Sequence, residues 1–95
     1  MNIPNKVKIG GFQYSVSQAD NLLRDENKSG DSCGNKQSIR IDSSATGQLK
    51  EVTFIHEVLH QIDYAYTIGL EHQQIFQLEA GIFAFIKDNP DIFKK

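Results

Sequence analysis

The chain has 95 residues, 39 % of them hydrophobic, and ten Lys or Arg against twelve Asp or Glu give a formal charge of −2. That length holds one domain around one core, and a near-balanced charge without a basic stripe gives nucleic-acid binding no electrostatic support. No apolar signal core opens the sequence and no long apolar run follows, so neither secretion nor a membrane span is expected, and the single Cys33 fits a reducing cytoplasm.

Residues 6–16 (KVKIGGFQYSV) alternate apolar and polar positions around Gly10-Gly11. This predicts a β-hairpin with strands near 7–9 and 12–16, Phe12, Tyr14 and Val16 sharing one face. Residues 18–24 read as a short helix or turn that contributes Leu22 and Leu23. Residues 25–36, rich in Gly, Ser, Asn and charge, read as a surface loop. Alternation returns at 38–42, where Ile39 and Ile41 share the face of a short strand. Ser43, Ser44 and Thr46 offer caps to a helix over 48–63, with Leu49, Val52, Ile55, Leu59 and Ile62 at helical spacing and Phe54 and Val58 widening the apolar surface. Gly69 breaks the pattern. A closing helix over 70–88 carries Ile75, Leu78, Ile82, Phe85 and Ile86 and stops at Asn89-Pro90. The expected fold is α+β, a small antiparallel sheet of about three strands packed on two longer helices. A mainly helical domain with an N-terminal hairpin is the runner-up.

The chemistry is concentrated in residues 53–62, TFIHEVLHQI. His56 and His60 are four apart, so on a helix both imidazoles leave the same face one turn apart. Two such nitrogens can meet one tetrahedral zinc at about 2.0–2.1 Å. Glu57 is rotated by about 100° from His56, where it can act as general base toward a water acidified by zinc without itself being a ligand. The string alone is a weak filter, but no other ionisable group lies among these residues, as a metal helix crossing a core requires. The competing reading is a core helix with two incidental histidines.

A zinc peptidase uses a third protein ligand and leaves the fourth position for water. His72 and Glu79, seven apart on the closing helix, share a face and are both candidates. A tight antiparallel hairpin about Gly69 brings Glu79 level with the motif. A first helix ending soon after Asp63 lets the returning chain bring His72 instead. Asp63 itself can hydrogen-bond a ligand histidine or simply end the helix. Tyr64 and Tyr66 are candidates for an oxyanion contact or for packing. Cys33 is either a thiolate masking the zinc or an ordinary free cysteine.

The Thr-x-x-His-Glu-x-x-His string of residues 53–60 resembles the zincin metallopeptidases. More narrowly, the chain is similar to the minimal zinc-peptidase-like proteins of bacteriophages and prophages: a hairpin like KVKIGGFQY, a strand like SIRID, the motif helix TFIHEVLHQID and a last helix ending like GIFAFIKDNP. The resemblance is weakest over 18–37. It implies a zincin-like domain over 1–95, zinc ligation by His56 and His60, Glu57 as base, and residence in the cytoplasm of a bacterial host cell. In that family a glutamate often stands at the position of His72.

Two functions follow as expectations. The first is a zinc-dependent endopeptidase acting on a protein or peptide substrate, with residues 38–42 as an exposed edge strand that pairs with it. The second is a zinc-stabilised binding module that acts on a host partner without turnover. A metal-free α+β interaction domain is a third.

Overall fold

A computed structural model describes residues 1–93. The elements run β1 (Lys6–Ile9), β2 (Phe12–Ala19), α1 (Leu22–Glu26), β3 (Gly30–Cys33), β4 (Ser38–Asp42), α2 (Gly47–Tyr66), α3 (His72–Asp88) and a closing 3-10 turn (Pro90–Ile92). The fold is α+β, as the pattern of short alternating segments followed by long helical ones implies.

The hairpin forms where expected. Its turn places Gly10 at φ 59° and Gly11 at φ 84°, left-handed values that glycine adopts without steric cost and that match the twist of the flanking strands. The sheet departs from expectation in number and sense. It has four strands in the order β1-β2-β4-β3, and the β2–β4 pair is parallel, so the sheet is mixed rather than antiparallel with about three strands.

The added strand is β3, inside the segment read as a surface loop. Gly-Asp-Ser-Cys has little intrinsic preference for a strand, and what orders it is pairing with β4. Asp31 stands opposite Arg40, and the guanidinium donates to both carboxylate oxygens, an opposite-charge pair across the ladder. A second expectation falls with the first. Strand β4 is not an edge, because β3 covers it; the edge on that side is β3 itself.

Helix α2 lies between the sheet and α3. Phe54, Val58 and Ile62 pack on the cluster of Ile9, Tyr14 and Ile39, while Ile55 and Leu59 bury against Ile75 of α3, with Leu70, Ile82, Phe83 and Ile86 around them. Where α2 meets β3 the contact is closer. A Cβ on Gly30 would lie 2.6 Å from Thr53 Cγ2 and 2.8 Å from the Arg40 carbonyl oxygen, so the absence of a side chain there lets the strand approach the helix. Thr46 occupies the helix N-cap position without a side-chain bond. Ser44 instead hydrogen-bonds the buried Asp42 carboxylate, which also accepts the Leu23 N–H at 3.1 Å and so ties α1 to the end of β4. Among the described residues no helix is long and apolar enough to cross a membrane.

Candidate metal centre

His56 and His60 leave α2 one turn apart, and their Nε2 atoms are 3.0 Å apart. His72, in the first turn of α3, brings its Nε2 to 3.1 Å from that of His56. A tetrahedral ion with bonds of about 2.0–2.1 Å holds its ligand atoms about 3.3 Å apart, so the spacing is near what one zinc requires. These three histidines form the group among the described residues whose nitrogens can share a metal, all within 4.8 Å of one another. Phe76, four residues after His72, lays its ring 4.9 Å from the His56 ring and 4.7 Å from that of His72.

Glu79 reaches the same place from the other side. Its Oε2 is 3.0 Å from Nδ1 of His56, the nitrogen that does not face the other histidines. An Nδ1–H donated to that carboxylate leaves the Nε2 lone pair of His56 directed at its neighbours, the arrangement in which an outer carboxylate orients a metal-binding imidazole. The two candidates for a third ligand thus occupy different positions: His72 beside the Nε2 atoms, Glu79 behind His56.

The turn between the helices decides this. Asp63 Oδ1 accepts the backbone N–H groups of Gly69 at 2.7 Å and Leu70 at 3.0 Å, and Asp63 O accepts that of Ile68 at 3.2 Å. With Thr67 at φ 52° and Gly69 at φ 84°, the chain reverses within five residues and delivers His72 to the level of His60. Asp63 neither bonds a histidine nor simply ends the helix: it fastens the turn.

Glu57 faces β3 and is 6 % exposed. Its Oε1 accepts the Ser32 hydroxyl at 2.7 Å. Ser32 Oγ in turn accepts Gln61 Nε2 at 2.8 Å, and Gln61 Oε1 accepts the Tyr14 hydroxyl at 3.1 Å. One turn earlier Thr53 donates to Ser29 Oγ at 3.1 Å. Residues 53, 57 and 61 therefore make a polar stripe at i, i+4 spacing along the buried seam between α2 and β3, and no buried side-chain polar atom among the described residues lacks a partner.

A cleft of about 680 Å3 opens over this arrangement, lined by residues 28–32, the three histidines, Glu57, Phe76 and Glu79. Tyr64, Tyr66 and Cys33 are not among its lining residues. Tyr64 instead packs so closely over Gly34 that a Cβ there would strike its ring, and its hydroxyl donates to Asn35 Oδ1 at 3.3 Å.

Sequence reasoning missed Ser32, because its segment carries no strand pattern. It also missed Gln61 and Phe76, although i+4 spacing from Glu57 and His72 was a signal available for each. No protein-family description, curated protein or solved structure matches this chain.

Burial holds His56 and His60 below their ordinary value of 6.5, His72 adding repulsion on each. Both are neutral at neutral pH, the form that donates a lone pair to a metal. Burial pushes the carboxyls of Glu57 and Glu79 above 4.5, opposed at Glu57 by the Ser32 hydrogen bond.

Two predictions follow from this geometry. A raised carboxyl favours the fold below its unfolded value, and that contribution is lost as pH rises through the folded value. Metal-free Glu57→Gln should therefore melt above wild type at about pH 8, with the gap closing toward about pH 4. An equal or lower melting temperature at the higher pH would contradict the cost assigned to the buried carboxylate. Asp63→Ala should weaken zinc affinity about tenfold in a chelator competition, by freeing the turn that carries His72. Asp63→Asn keeps the accepting oxygen and should retain most of the affinity; unchanged binding in the alanine variant would remove Asp63 from the account.

Proposed function

We propose that this protein is a zinc-dependent metallopeptidase of zincin type, with His56, His60 and His72 holding the metal and Glu57 as general base. The observation that carries the reading is the meeting of three imidazole Nε2 atoms beside a buried glutamate in one cleft. Three histidines leave a fourth position open, the pattern of a catalytic rather than a structural zinc site, and Glu79 on His56 supplies the outer partner that such sites use.

Zinc held there supplies Lewis acidity, which acidifies a water and polarises a carbonyl. Glu57 accepts the proton that this water loses as its oxygen adds to the peptide carbonyl carbon, and returns it to the nitrogen as the C–N bond breaks. Ser32 occupies Oε1 of Glu57, which fixes the carboxylate plane and leaves Oε2 for that proton. The raised pKa suits a group that must hold a proton between the two transfers.

The substrate-pairing role expected of β4 passes to β3. Asp42 N–H donates to Ser29 O at 2.7 Å, which makes 29 and 42 a hydrogen-bonded pair of the antiparallel ladder. By its alternation the backbone groups of Gly30 and Ser32 point away from β4. An extended peptide added along that edge runs past Glu57 and the histidines. The lone Cys33 and the resemblance to phage and prophage proteins support residence in the cytoplasm of a bacterial cell.

Zinc-loaded wild type is expected to cleave unstructured protein, and Glu57→Gln to lose at least about a hundredfold in rate while keeping one zinc per chain. Activity that survives in Glu57→Gln would defeat the peptidase reading and leave a zinc-stabilised binding module.

A further inference from the structure

Apolar side chains from three helices line the cleft beside the histidines: Leu23 of α1, Leu49 and Val52 of α2, and Phe76 of α3. Leu23 is 47 % exposed, Leu49 50 % and Phe76 52 %. Each contributes apolar surface to the cleft wall rather than to either core cluster. A side chain laid among them removes apolar surface from water on both partners.

The charged residues lining the same cleft point to the same conclusion. Lys28 Nζ lies 3.1 Å from Asp31 and 3.2 Å from Glu26. Asp31 is held in addition by both donors of the Arg40 guanidinium. Glu57 is bonded to Ser32, and Glu79 to His56. Every acidic or lysine side chain lining the cleft thus already has a partner. An acidic group entering it would be desolvated beside Asp31, Glu57 and Glu79, with Lys28 already paired, which is unfavourable.

We propose that the cleft selects extended peptides carrying a bulky apolar side chain, of the Leu, Met or Phe kind, beside the bond held at the histidines, with Leu23, Leu49 and Phe76 as the wall that receives it. The proposal rests on the peptidase reading for the position of the peptide, along the outer edge of β3. It follows from the cleft surface and not from the chemistry of the metal. Leu49 is the residue through which it can be altered, because half of its surface is exposed and neither core cluster includes it.

The test separates recognition from turnover. Immobilised, zinc-loaded Glu57→Gln protein is presented with a random octapeptide library, and the retained peptides are sequenced. Retention enriched about tenfold in Leu, Met or Phe is the expected result, with the enrichment moving toward Asp and Glu when Leu49→Lys is added. Circular dichroism of the Leu49→Lys protein establishes that it is folded, and Leu23→Lys repeats the test from a second helix. No retention, retention without an apolar bias, or a bias unchanged in both lysine variants overturns the proposal. So does a wild-type chain that dimerises through this wall and dissociates in Leu49→Lys, which would assign the surface to a second copy. Retained peptides are then offered to zinc-loaded wild type. Failure to cleave them counts against the peptidase reading and leaves the recognition result standing.

Discussion

Helix α2 is packed on three sides at once and faces the cleft with the fourth. Phe54, Val58 and Ile62 meet the sheet, and Ile55 and Leu59 meet α3. Thr53 hydrogen-bonds Ser29 just before the edge strand β3, Glu57 and Gln61 meet Ser32 within it, and His56 and His60 turn toward His72. Each stripe repeats every four residues, close to the helical period, so residues 53–62 have no position without an assigned side. A turn of the helix by one residue, about 100°, would, according to its sense, either bury the histidines against the apolar side chains of α3 or bring Ile55 and Leu59 into the cleft. The apolar packing of α2 and the register of the candidate metal site are one constraint.

Burying a carboxylate and an amide beside a strand is costly unless each finds a partner. Here the partners come from β3 and from Ser29 just before it, a stretch with almost no apolar content. Ser29 and Ser32 answer Thr53, Glu57 and Gln61, and Tyr14 closes the chain of hydrogen bonds from the sheet side. This gives β3 two roles in the proposed enzyme. Its side chains orient Glu57, and its outward backbone offers an edge on which a peptide can lie, so base and substrate are referred to the same four residues. The ion pairs of Asp31 with Lys28 and Arg40 hold that strand from its other face.

Much of this was legible in the sequence because it is local. The hairpin is written in two glycines between alternating segments, and both long helices in their apolar spacing. The pairing of His56, Glu57 and His60 follows from helix geometry alone. What was not legible depends on contacts distant in sequence. Strand β3 has no strand pattern of its own and exists through Arg40, Ser32 and the glycine that lets it approach Thr53, so the sheet was expected one strand short and β4 was taken for its edge. Spacing placed His72 and Glu79 on one face of α3 but could not say which nitrogen of His56 each would meet. The Asp63 carboxylate decides that by fixing where the chain turns, through bonds to backbone groups that spacing does not describe.

The coordination of zinc in the loaded protein tests the central claim most directly. X-ray absorption at the zinc edge should show a four-coordinate ion, three imidazole nitrogens and one oxygen at about 2.0–2.1 Å, with no sulfur. His72→Ala should reduce the imidazole count by one, and Glu79→Gln should leave it unchanged. A carboxylate oxygen lost with Glu79, a sulfur from Cys33, or an imidazole count of three that survives His72→Ala would contradict the account.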